Sequence, residues 1–140
     1  MMDAKVTWKK GLSFTGTADS GYVLNLGGKK AVGGDEDGFL PMEMFAIGLA
    51  GCTAMDVISI MEKMRQIVTA FEVKVHADRV DQHPKIFSDI LIEYIVTGQN
   101  LDASAVEKAV KLSEERYCPG QAILEKTANI SHKITLINAA

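Results

Sequence analysis

Cys52 and Cys118 are the only two thiols in this chain of 140 residues. Free thiols in that number serve as redox partners, metal ligands, nucleophiles or buried bystanders, and their settings decide among these. Cys118 lies in "EERYCPGQAIL", where Cys-Pro-Gly breaks a charged helical run before an apolar one resumes. Pro119 pushes the preceding residue out of the helical region and is itself a good first helical residue, so Cys118 is expected to cap a helix starting at Pro119. There its sulfur would face free backbone N–H groups, which favour the thiolate, the species that attacks electrophiles or resolves a sulfenic acid. Equally, a tight helix-helix joint by itself calls for a small residue, and spacing leaves the two readings open.

Cys52 lies in "GLAGCTAMDVISI", with Gly48 one turn before it and Asp56 one turn after it on the same face. Small residues at 48 and 51 let another backbone approach and bury the thiol. Burial raises a thiol pKa, and an ionised Asp56 would raise it further. On spacing alone Cys52 reads as an inert core cysteine. No pair drawn from Cys52, Cys118, His76, His83 and His132 shows metal-ligand spacing, so no metal site is expected.

The elements that must position these residues follow from pattern. Lys5–Lys9 alternates apolar and polar, and so do "LSFTGT" and "YVLNL" on either side of Asp19-Ser-Gly21: a strand, then a hairpin. Gly27 to Gly38, "GGKKAVGGDEDG", is a charged, glycine-rich stretch expected to form a mobile loop, without phosphate-loop spacing. From Pro41 to about Gln66 the pattern is helical and apolar nearly all round until Met61, so this helix must be wrapped by sheet, other helices or a second subunit. "FEVKVHADRV" and "IFSDILIEYIV" predict a long hairpin with ends near Phe71 and Val96. Asp102 can N-cap "ASAVEKAVKLSEERY", whose Val106, Ala109, Val110, Ser113 and Tyr117 form one helical stripe. A short helix after Pro119 and a final strand, "NISHKITLI", complete an α+β order, βββ-α-ββ-αα-β, read as one domain over residues 1–140.

Composition narrows the partners. Fifteen Lys and Arg against eighteen Asp and Glu give a net charge of -3, without the basic excess that nucleic acid demands. "MMDAKVTWKK" has no apolar secretory core. The uncharged stretch Met44 to Met55 is shorter than the ~20 residues of a membrane span. These features lead to the expectation of a cytoplasmic protein with no membrane partner.

A helix opening at Pro-x-Glu (Pro41, Glu43) and carrying "AGC" (Ala50 to Cys52), followed downstream by a helix ending in "YCP" (Tyr117 to Pro119), resembles the OsmC/Ohr family, the osmotically inducible and organic hydroperoxide resistance proteins. The similarity covers nearly the whole chain, and "GCTAMDVISIMEKMR" and "LSEERYC" are nearest to its OsmC-like branch. The resemblance implies antiparallel sheets around a long buried central helix, in an intertwined homodimer with its active sites at the subunit interface. It implies a peroxide reductase acting preferentially on organic hydroperoxides, with Cys52 in the peroxidatic position and Cys118 in the resolving one. No bound cofactor is implied; an external dithiol such as a dihydrolipoyl group would restore the thiols. The disulfide would stabilise the oxidised form by roughly 4 kcal/mol on the chain-entropy model.

Family peroxidases hold the thiolate with an Arg that a Glu directly after the helix-opening Pro orients. Here no Arg occurs between Met1 and Met64, and Met42 follows Pro41. Glu43 stands one place late, a turn of ~100° about the axis. Glu43 and Asp56 are the candidate supporting carboxylates, and Lys9, Lys10, Arg65 and Arg116 the candidate replacement cations. The departures favour a second reading, a binding protein of this fold for an apolar or acyl ligand.

Overall fold

The computed structural model describes residues 1–139. The element order is β1 (Ala4–Lys10), β2 (Ser13–Ala18), β3 (Val23–Leu26), α1 (Pro41–Lys63), β4 (Ile67–Arg79), β5 (Phe87–Gln99), α2 (Ala103–Leu112), α3 (Pro119–Leu124) and β6 (Asn129–Asn138). This is the α+β order that the sequence pattern predicts. The chain divides into two compact units, Met1–Phe45 and Ala46–Ala140, with the boundary inside α1.

In the first unit β1, β2 and β3 form an antiparallel meander. The β2–β3 turn closes through Gly21, at φ 85°, whose N–H donates to the Ala18 carbonyl at 3.0 Å. The glycine-rich segment is no open loop. It contains a 3-10 turn, Lys30–Val32, and folds back on itself as Gly34 N–H donates to Lys29 O and Glu36 N–H to Gly28 O. The Ser13 hydroxyl donates to Asp37 Oδ2 at 2.7 Å and holds that carboxyl below the usual carboxylate range. The close Gly28–Gly34 approach explains the glycines: a Cβ on Gly34 would meet Gly28 O at 2.1 Å.

The α1 start is fixed by a reciprocal cap. Glu43 Oε1 accepts the Leu40 N–H at 2.8 Å, while the Glu43 N–H donates to Leu40 O at 3.0 Å. Pro41, at the first helical position, has no N–H to leave unpaired.

In the second unit β5 is the central strand of a three-stranded sheet, antiparallel to β4 and parallel to β6. The sheet is therefore mixed and not wholly antiparallel. The parallel pairing follows from α2 and α3, which carry the chain back to the starting end of β5. The hairpin strands run past Phe71 and Val96 to Ile67 and Gln99. Ile90, Ile92, Tyr94 and Val96 alternate into the core from β5. Opposite them Leu49, Thr53, Val57 and Met61 form an i, i+4 stripe on α1, and Val106, Ala109, Val110 and Ser113 a second stripe from α2 into the following turn. Each fully buried aliphatic side chain contributes about 1.5–3 kcal/mol.

The sequence reading puts α1 at a buried centre, but this chain covers only one stripe of it; Ile47 and Met55 are exposed. By length and composition the 23-residue helix could also cross a membrane. The expected Val106-to-Tyr117 stripe breaks at its end as well. Ser113–Tyr117 is a π-helical turn in which Cys118 N–H donates to Ser113 O at 2.8 Å. The extra residue re-phases the helix, leaving Tyr117 56% exposed and turning Cys118 inward.

Candidate active site

Cys118 caps α3 as the Cys-Pro pair predicts. Its backbone is extended at φ -80°, ψ 102°, Pro119 opens the helix, and the Gln121 N–H donates to Sγ at 3.4 Å. Of the two readings that spacing leaves open, the thiolate does not hold, however. Burial, at 3% exposure, pushes the thiol up to about 11. The N–H groups of Gln121 and Gly120 pull the other way, and the neighbouring Cys52 adds to the upward shift. A six-residue helix offers too little field to offset desolvation. Cys118 is thus a protonated thiol.

Cys52 projects from α1, half-buried, so it is not sealed in the core as spacing alone indicates. The two thiols meet at Gly120, whose missing Cβ would lie 3.6 Å from both Cys118 Sγ and Cys52 Cβ. Both are free, uncrosslinked cysteines.

Beside the thiols lies a polar cluster that the sequence reading did not pick out as functional. Thr53 Oγ1 is 2.8 Å from Tyr94 Oη and 3.1 Å from Ser113 Oγ, and Gln121 Nε2 donates to it at 3.2 Å. The Ser113 hydroxyl also donates to Asp56 Oδ2 at 3.1 Å. Thr53, Tyr94, Ser113 and Gln121 are all buried. Burial pushes the Tyr94 phenol up to about 12, so it is a neutral donor. The signal was available in part: Thr53 and Ser113 interrupt stripes that are otherwise apolar.

Asp56 sits one turn beyond Cys52 and is engaged by Ser113. It also lines a cavity of about 430 Å³ bounded by Met55, Ile60 and Lys63 of α1 and by Leu112 and Tyr117. Glu43 is held in the α1 cap by the Leu40 N–H. Of the candidate cations, Lys10 pairs with Asp35 at 3.5 Å and Lys9 donates to Asn25 Oδ1 at 3.4 Å, both within the first unit; Arg65 and Arg116 are exposed in the second. Among the described residues no three His, Cys, Asp or Glu side chains converge as a metal site would require.

A long helix bearing one cysteine, set against a mixed sheet and a capped helix bearing the other, defines a two-thiol α+β protein. Comparison with known proteins places it further. The OsmC-like protein family matches residues 33–133. Protein YhfA of Escherichia coli is 41% identical over 138 residues, spanning 99% of this chain and 100% of that protein. A hypothetical protein from Aquifex aeolicus superposes with a TM-score of 0.88 at 26% identity, over 100% of this chain and 98% of that one. An organic hydroperoxide resistance protein OsmC from Legionella pneumophila shares the fold at a TM-score of 0.71 and 16% identity, over 96% of each chain. The chain belongs to the OsmC-like protein family.

Proposed function

We propose that the protein is a thiol-dependent peroxide reductase that favours organic hydroperoxides, with Cys52 as nucleophile and Cys118 as resolving thiol. The observation that carries this reading is the meeting of the two free cysteines at Gly120, where Cys118 Sγ and Cys52 Cβ lie within 3.6 Å of one point. The names of structural neighbours as organic hydroperoxide resistance proteins support the substrate class.

The Cys52 thiolate attacks the O–O bond of ROOH; the S–O bond forms as the O–O bond breaks, and the departing RO⁻ takes a proton to leave as ROH. Cys52 is then a sulfenic acid. Cys118 attacks the sulfenic sulfur; the S–S bond forms, and the hydroxyl leaves as water with the proton that Cys118 carried. An external dithiol reduces the disulfide by exchange and becomes a disulfide itself. A dihydrolipoyl group fits that role, and a cytoplasmic setting would keep it reduced. The reading includes a homodimer in which a second copy covers the open apolar face of α1. Light scattering should then give twice the chain mass.

Stopped-flow oxidation of the reduced protein by cumene hydroperoxide and by hydrogen peroxide, with thiol counting and mass analysis, tests the reading. Loss of both thiols into a Cys52–Cys118 disulfide, faster with the organic peroxide, is expected. Slow, unselective oxidation would overturn it.

A second reading, a binding protein for an apolar or acyl ligand, draws on two observations. No Arg occurs between Met1 and Met64, and Glu43 is committed to the helix cap. An apolar ligand retained through purification, with thiols inert to hydroperoxide, would select it.

A further inference from the structure

The polar cluster beside the cysteines has a direction that its geometry fixes. Asp56 ends the chain: its Oδ2 accepts the single Ser113 proton. Ser113 Oγ must then accept from Thr53 at 3.1 Å, which uses the single Thr53 proton. Thr53 Oγ1 is left to accept from the Tyr94 hydroxyl and from Gln121 Nε2. Every proton runs toward Asp56, and no buried side-chain polar atom among the described residues is without a partner.

Gln121 joins this chain to the thiol, because its side chain donates to Thr53 while its backbone N–H donates to Cys118 Sγ. It is also the only buried residue of α3. A helix of this length has no stability of its own, so its seat beside the thiols depends on where that one carboxamide is held.

We propose that Asp56 is a positioning residue for Cys118, acting through the oriented chain Gln121–Thr53–Ser113–Asp56 to hold the α3 cap over the thiol. The proposal rests on the reading of Cys118 as the resolving thiol. With the carboxylate gone, Ser113 no longer has a fixed acceptor, so Thr53 is no longer held donating to Ser113 and can turn its own proton to the side that receives Gln121. The carboxamide then loses its fixed acceptor and the cap on Cys118 loosens. Asp56 faces the cavity bounded by Lys63 and Tyr117, so its carboxylate is reachable without opening the core.

The test uses no peroxide, so a failure of the peroxidase reading would leave it intact. In a Cys52→Ser background, alkylation of Cys118 by iodoacetamide is timed by mass spectrometry on the native full chain. Asp56→Ala should accelerate it by about tenfold, the scale of one lost hydrogen bond to a charged acceptor. Asp56→Asn keeps an acceptor oxygen and should stay within about twofold of the parent. Ser113→Ala cuts the same chain at its next link and should reproduce the Asp56→Ala rate, with the double variant no faster than either single. In the two-thiol protein, diamide-driven disulfide formation should slow in the same variants.

Unchanged alkylation in both Asp56→Ala and Ser113→Ala would overturn the proposal. So would additive effects in the double variant, or an Asp56→Asn variant as fast as Asp56→Ala. If Asp56→Ala does not fold, Ser113→Ala and Asp56→Asn still decide the question.

Discussion

The two cysteines occupy contrasting surroundings. Cys52 stands in the middle of an unbroken 23-residue helix, half-buried, on a helix whose far side is open. Cys118 stands where a π-helical turn gives way to a six-residue helix, buried and capped by the Gln121 N–H. A helix N-terminus alone would lower the second thiol, but desolvation raises it. Local sequence decides which groups a thiol meets, and the depth of the site decides which of them wins. The outcome suits a division of labour in which the accessible sulfur attacks and the sheltered one waits with its proton.

The largest expected effect breaks that division directly. Cys52→Ser should lose peroxide-dependent oxidation altogether, whereas Cys118→Ser should consume one equivalent of hydroperoxide and stop as a sulfenic acid on Cys52, trapped by dimedone and read by mass. Equal loss in both variants would remove the distinction between attacking and resolving thiols.

Next in size is the polar cluster beside the pair. Thr53→Val strands the Tyr94 hydroxyl, the Gln121 amide and the Ser113 oxygen in a buried site, at about 2–4 kcal/mol by urea unfolding. Tyr94→Phe removes one donor from the edge of the same cluster and should cost about 1 kcal/mol. Equal costs would mean that Thr53 is not the hub.

Much of this arrangement was legible in sequence. The Cys-Pro pair gave the α3 cap, Asp102 gave the α2 cap, where it accepts the Ser104 N–H at 3.0 Å, and period-two alternation gave β5 with its buried face. These signals are local. What stayed hidden is what distant segments settle between them. Thr53 meets Tyr94, Ser113 and Gln121 across 41, 60 and 68 residues, and no periodicity reports a contact at that range. The π-helical turn was hidden for another reason, since "LSEERY" suits α and π geometry alike. The parallel pairing of β6 depends on where two helices deliver the chain. Spacing left the thiolate at Cys118 open, and burial decides against it because depth is a tertiary quantity.

A last effect sharpens the contrast by titration. The Cys118 thiol has an ordinary value of 9.0 and stands at about 11 in the folded chain. Between those values the unfolded chain has released the proton while the folded chain keeps it, so the folded state binds more protons and its stability falls as pH rises. The stability difference is fully present below about 9 and is lost by the time pH passes about 11. Integrated over the window it amounts to about 3 kcal/mol. Tyr and Lys side chains titrate in the same range, so the quantity to measure is the difference between the parent and Cys118→Ala in urea midpoints at pH 8, 9, 10 and 11. The two curves should converge as the parent loses its advantage, the midpoint of the change lying near pH 10. Parallel curves would mean that the folded protein ionises Cys118 as readily as the unfolded chain does. The capping N–H groups would then have offset burial after all, and the two cysteines would be nearer equals than their surroundings indicate.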